Sequence, residues 1–224
     1  MLRRLPARKG AARLRTALPP AMLLPADGPR YRPAAVTPAT ETPMPENRAS
    51  QRPNRAEYYM GIAIAVRRRA NCLGNRVGAL LVKEDRIITT GYNGTPQHMT
   101  NCEEGGCERC AHRDRFPTAT GYDVCICVHA EQNTLLSAAR FGIPVEGAVL
   151  YTTLRPCFNC AKELLQARIH AVYFLHEWKH PDDDLWHQYQ LLERKFAGGF
   201  AHIEVPDPDA AWAISTLREA AAKP

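Results

Sequence analysis

Two short stretches hold side chains of types and spacings that could do chemistry together. One is His129-Ala130-Glu131, and the other, beginning 25 residues after Glu131, is Pro156-Cys157-Phe158-Asn159-Cys160. Cys157 and Cys160 are three residues apart, one helical turn, so both sulfurs can reach one ion at ~2.3 Å. A turn that opens a helix also lowers the thiol pKa, and metal binding removes the proton outright. His129 can supply a neutral third ligand from a second helix start. Two sulfurs and an imidazole suit Zn²⁺, and three protein ligands leave a fourth tetrahedral position for a water whose pKa falls towards ~7. Glu131, two residues past His129, is badly placed to bind the same ion. It projects instead beside that water, where a carboxyl with a burial-raised pKa can take up a proton and pass it on to a leaving group. The Ala130 N–H is a donor for a carbonyl on a bound substrate. A purely structural zinc would instead close its fourth position with a protein ligand.

The six remaining cysteines are Cys72, Cys102, Cys107, Cys110, Cys125 and Cys127. Disulfides are not expected, because no signal peptide is recognisable and the first site needs thiolates. Cys107-x-x-Cys110, with Cys102 nearby and Cys125-x-Cys127 downstream, has the spacing of a stapling metal site; free, partly buried thiols are the plainer alternative. A staple has a physical purpose here. Residues 91–123 show no periodicity and carry little apolar surface to hold them in place.

The elements that must position these groups are legible around that stretch. Residues 57–71 place Tyr59, Ile62, Ala63, Val66 and Ala70 at helical spacing. Two β-branched runs, 77–82 and 86–92, read as a hairpin. Helical periodicity returns over 129–141 and stops at Gly142. A strand over 148–153, a helix over 158–168, a strand over 171–176 and a helix over 182–196 follow. A short strand over 200–205 and a final helix over 209–222, capped near Asp207 or Asp209, complete the order. Strands alternating with helices after the hairpin imply parallel neighbours. The expected architecture is α/β: a three-layer α-β-α sandwich around one mixed five-stranded sheet.

Charge divides the 224 residues unevenly. The net is +6, yet residues 1–54 hold ten Arg or Lys against three acids, leaving 19 basic and 20 acidic residues beyond them. A near-neutral remainder lacks the footprint of a nucleic-acid binder. Residues 1–54 also hold ten of the 18 prolines, which argues for a disordered basic arm preceding a single domain over 55–224. The acid-free first 20 residues loosely resemble an organellar transit peptide, though they are poor in Ser; a start at Met22 or Met44 is an alternative reading. No apolar run approaches the ~18 residues of a membrane span. A cytoplasmic location is expected, with organellar targeting by the arm left open.

Residues 55–205 resemble the deoxycytidylate (dCMP) deaminase family of the cytidine deaminase-like superfamily. Beyond the metal motif, the resemblance is carried by Arg76-Val77-Gly78-Ala79-Leu80-Leu81-Val82, Gly91-Tyr92-Asn93-Gly94-Thr95-Pro96, Asn101-Cys102, Gly106-Cys107-Glu108-Arg109-Cys110 and Cys127-Val128-His129-Ala130-Glu131-Gln132-Asn133. Leu150 to Leu154, Cys160-Ala161-Lys162 and Gln166-Ala167 also match. The resemblance implies hydrolysis of dCMP to dUMP and ammonia, which supplies thymidylate precursor, with Zn²⁺ as cofactor and Glu131 as the catalytic residue. It implies a homo-oligomer, dimer or hexamer, and dCTP and dTTP as effectors in regulated members. Gln97-His98-Met99, where small residues are common, puts such regulation here in doubt. Some members carry a second, structural zinc. Its ligands here would be Cys72, Cys102, Cys107 and either Cys110 or Cys125. The resemblance also has Asn93 reaching the nucleotide, whereas its neighbours alone would make it a loop-closing residue. A phosphate needs cations, and Arg76 and Arg155 are the candidates. The rivals are a deaminase of another cytosine nucleotide or of a nucleic-acid base, and a competence-type accessory protein of the same family, for which an intact Glu131 would be superfluous.

Overall fold

The computed structural model describes residues 52–116 and 124–221, all within the unit Ser50–Pro224. The arm expected over 1–54 lies, as far as residue 51, outside the described residues. The first helix, α1 (Arg55–Arg67), starts on a reciprocal cap. Asn54 accepts from the Glu57 N–H at 2.9 Å, and Glu57 accepts from the Asn54 N–H at 2.8 Å. The helix starts two residues earlier and ends four residues earlier than its periodicity suggests, and its buried face is Tyr59, Met60, Ala63, Ile64 and Arg67.

Strands β1 (Gly78–Lys83) and β2 (Arg86–Tyr92) form the expected hairpin. Its two turn residues, Glu84 and Asp85, both have positive φ, the conformation that matches strand twist in a two-residue connection. The long stretch after β2 is not wholly irregular. It holds single 3₁₀ turns at Cys102–Glu104 and Arg113–Arg115 and a one-turn helix, α2 (Glu108–Ala111).

Next come α3 (Ala130–Phe141), β3 (Val149–Leu154), α4 (Phe158–Gln166), β4 (Ala171–His176), α5 (Asp183–Glu193) and β5 (Phe200–His202). The sheet order is β2-β1-β3-β4-β5. β1 is antiparallel to both of its neighbours, and β3, β4 and β5 are parallel. This is the mixed five-stranded sheet expected from the element order.

Strand alternation sorts the core onto two faces. Ala79, Leu81, Leu150 and Val172 pack with Ala130 of α3 and Leu164 of α4. Leu80, Val82, Tyr151 and Leu175 pack with Tyr59, Met60 and Ala63 of α1. No helix among the described residues is long and apolar enough to cross a membrane.

The C-terminal part departs from expectation. β5 stops at His202, and beyond it only the Ile203 N–H reaches the neighbouring strand, at the Phe174 carbonyl. The single final helix is two, α6 (Ala210–Ala213) and α7 (Ser215–Ala221), broken at an extended Ile214. The break has a visible cause: the Ser215 N–H is drawn to Asn75 Oδ1 at 2.8 Å, and Ile214 turns into the core. Asp209 does stand at the N-cap position of α6, but its side chain makes no capping hydrogen bond. Asp207 is taken by Arg67 and His176, and Asp209 by Arg68 at 2.9 Å.

Candidate metal centre and active-site cavity

Two helix starts converge on one point. His129 is the residue before α3, Cys157 the residue before α4, and Cys160 lies in the first turn of α4. The His129 Nδ1 is 3.5 Å from Cys157 Sγ and 3.4 Å from Cys160 Sγ. Donors arranged tetrahedrally at zinc bond lengths stand ~3.5–3.8 Å apart, so spacing and donor chemistry both fit Zn²⁺. The positive ends of both helices favour thiolate at this point. Hydrogen bonding from Cys160, together with the His129 ring, holds the Cys157 thiol well below its usual range despite burial. Burial pulls the His129 imidazole down, but the Cys157 thiolate beside it outweighs this and lifts it to about 9. A divalent cation would take the place of that proton.

The supporting contacts are local and specific. Gln132 Oε1 accepts from the His129 N–H at 3.0 Å, while its Nε2 donates to Glu163 on α4 at 3.0 Å. Tyr189 O–H donates to the Pro156 carbonyl at 2.6 Å, which fixes the turn into Cys157. Gly91 lets β2 lie against the start of α3. A Cβ there would collide with the Ala130 carbonyl and stand 2.7 Å from the Thr134 nitrogen.

Glu131 is 4% exposed, and burial raises its carboxyl above the ordinary range. One carboxylate oxygen lies 3.0 Å from Thr152 Oγ1, which is itself 3.2 Å from the Leu154 carbonyl. The carboxyl, His129 and Cys157 face a cavity of about 500 Å³, the size of a small-molecule site. Ala130, Asn93 and Trp178 line it too, and Arg109, Arg113 and Arg155 give part of its wall a cationic lining.

The other residues singled out from sequence are placed as follows. Asn93 lines the cavity, but its amide is engaged by backbone: Oδ1 accepts from the Val77 N–H and Nδ2 donates to the Asn75 carbonyl, both at 2.8 Å. Arg155 lines the cavity with its guanidinium held by Glu193 and Glu177 and stacked near Trp186 and Phe174. Arg76 is outside the lining residues; it donates to the Trp212 carbonyl at 3.1 Å and lies over the Trp212 ring.

The six other cysteines do gather in one cluster, all free and all buried except the partly exposed Cys125. The set Cys72, Cys102 and Cys107 with one more does not come together as a quartet. The groups with metal-binding proximity are Cys72, Cys102, Cys110 and Cys127, and Cys107, Cys110, Cys125 and Cys127. Sequence reasoning left Cys127 out of the ligand set, although its spacing from Cys125 was the signal. It also passed over Thr152, Arg109 and Arg113, which the fold alone brings to the cavity or its acid.

The family described as the cytidine and deoxycytidylate deaminase zinc-binding region matches residues 53–176. The deoxycytidylate deaminase of Saccharomyces cerevisiae is 40% identical over 128 residues, 57% of this chain and 39% of the yeast protein. That of Mycobacterium phage D29 is 36% identical over 129 residues, 55% of this chain and 95% of the phage protein. Among solved structures, the dCMP deaminase of cyanophage S-TIM5 in complex with dCMP and dUMP is similar, with a TM-score of 0.52 and 28% identity. That similarity covers 68% of this chain and 98% of the phage chain. The matched segment thus spans well under half of the yeast relative and nearly the whole of both phage proteins.

Proposed function

The chain belongs to the family of the cytidine and deoxycytidylate deaminase zinc-binding region, and from that premise we propose that it converts dCMP and water to dUMP and ammonia. We assign the activity to residues 55–224. The observation that carries the reading is a buried carboxyl, Glu131, opening into one cavity with His129 and Cys157, two of a group of three zinc-type donors completed by Cys160. When bound there, zinc supplies Lewis acidity that makes a water nucleophilic at neutral pH.

The chain's own residues do the rest. Glu131 takes one proton from the attacking water and delivers it to the ring nitrogen next to the attacked carbon, then takes the second from the hydroxyl now on that carbon and passes it to the departing amine. Ala130 contributes an N–H for the base carbonyl. Arg109 and Arg113 line the cavity with positive charge suited to a phosphate, as does Arg155, although two carboxylates already engage it. A scaffold or accessory role would have no use for a buried acid at this point. The family reading also carries a homo-oligomer, for which exposed Leu136 and Phe141 on α3 offer apolar surface. An ultraviolet assay against cytosine, deoxycytidine and its mono-, di- and triphosphates tests the substrate. Turnover is expected with dCMP, and preferential turnover of the free nucleoside or of the triphosphate would overturn the assignment.

Thr152 has one hydroxyl proton and two acceptors in reach. It can donate to ionised Glu131; when Glu131 carries the proton, the carboxyl can donate to Thr152 while Thr152 donates to Leu154. Neither state of the acid is left unpaired, which suits a group that must gain and lose a proton in each cycle. Thr152→Val is therefore expected to lower kcat about tenfold, the size of one hydrogen bond, with KM and zinc content unchanged. Thr152→Ser should restore kcat. An unchanged kcat in the valine variant would show that the hydroxyl does not position the acid.

A further inference from the structure

The cysteine cluster holds more sulfur than one metal ion can use. Its two quartets share Cys110 and Cys127. Cys72 and Cys102 complete one, and Cys107 and Cys125 complete the other. Around an ion at ~2.3 Å, tetrahedral sulfurs stand roughly 3.8 Å apart. Cys110 Sγ lies 3.8 Å from Cys72 Sγ in the first group and 4.0 Å from Cys125 Sγ in the second, and Cys107 Sγ is 3.9 Å from Cys125 Sγ. These separations are about twice a disulfide bond, and every cysteine concerned is free.

A single ion in the first quartet would strand Cys107 and Cys125. One in the second would strand Cys72 and Cys102, both buried. Only two ions give every sulfur a metal. We propose that residues 72–127 hold a binuclear zinc–thiolate cluster in which Cys110 and Cys127 bridge two ions, each completed by two terminal cysteines. Six thiolates and two Zn²⁺ carry a net charge of −2. The Leu73 N–H, 3.4 Å from Cys102 Sγ, is one donor turned towards that charge.

The cluster would reach the catalytic apparatus through its own ligands. Cys127 is two residues before His129, and Cys72, Cys110, Cys125 and Cys127 form part of the cavity wall. Two ions would thus join the segment after α1, the irregular stretch around α2 and the segment entering α3, three pieces with little apolar surface between them.

The test counts metal on the whole chain, purified under reductant without chelator. Zinc by mass spectrometry of the native protein is expected at three per chain. Cys157→Ala should remove one and leave two. After exchange with NMR-active cadmium, two of three resonances should be split by mutual coupling through the bridging sulfurs, and the third should be single. A total of two ions in the unaltered chain with no coupled pair between them, or cluster resonances without mutual splitting, overturns the proposal. If Cys157→Ala instead keeps all the metal of the unaltered chain while the coupled pair persists, the deaminase site is misassigned and the cluster stands. Both decisive measurements use the unaltered protein, so no result depends on whether a cluster variant folds.

Discussion

Glu131→Gln is expected to leave the fold and the zinc content intact and to lower turnover by roughly 10³-fold or more. Glutamine has the shape of the acid and keeps an oxygen to accept from Thr152. It also relieves the cost of holding an ionisable group at 4% exposure, so the Tm should stay level or rise. What it cannot do is carry a proton. The reaction needs both protons of water taken up in turn and delivered, one to ring nitrogen and one to amine, and among the described residues lining the cavity Glu131 is the buried acid placed for these transfers. Initial rates on dCMP, with zinc quantified on the same sample, decide the matter. Activity within tenfold of the unaltered chain would remove Glu131 from the chemistry.

A second large effect is expected at residues that are not metal donors. Asp207→Ala should destabilise the protein by about 3–5 kcal/mol, because it abandons a buried guanidinium. The Arg67 side chain is 0% exposed, and its two terminal nitrogens meet Asp207 at 2.7 and 2.6 Å, with His176 at 2.6 Å from the same carboxylate. Against a typical total of ~5–15 kcal/mol, such a loss is severe. Replacing both partners, Arg67→Met with Asp207→Leu, should recover most of it, which separates the stranded charge from mere loss of contact. Denaturant titration measures each variant.

The same pair sets an acid limit. Burial pushes the Asp207 carboxyl up, but hydrogen bonds from Arg67 and His176 outweigh it and bring the carboxyl from 3.8 to about 2. On acidification the unfolded chain therefore binds this proton first. The contribution, about 2 kcal/mol, is whole above pH ~4 and is lost as pH falls from there through about 2. In Asp207→Asn that part of the acid dependence should vanish.

How far the sequence reads correctly depends on the range of the interaction behind each feature. The hairpin, the alternating strands and the two metal-ligand helix starts rest on neighbours a few residues apart, and they stand where periodicity places them. The buried face of α1 does so only in part, with Tyr59, Ala63 and, just past its end, Ala70 buried as their spacing suggests. Spacing alone selects Ile62 and Val66, whereas the structure buries Met60, Ile64 and Arg67. A partner 140 residues away turns that face, and no local pattern announces it. The break at Ile214 has the same kind of origin, since Asn75 is as distant in sequence from the Ser215 it holds. Within the site, the Cys-x-x-Cys and His-x-Glu spacings are visible as text. The kinship of Thr152 with Glu131 is not, because it exists only once the fold brings the end of β3 to the start of α3.

The last segment of the fold bears on how the protein is made. Asp207 and Asp209 hold the end of α1, the Arg76 N–H binds the Ala213 carbonyl, and Ser215 and Thr216 reach the cavity wall. On the ribosome these residues emerge after every metal ligand. A nascent chain can therefore present every metal ligand while one side of its pocket is still missing, and that wall is complete only once residues 207–216 have emerged.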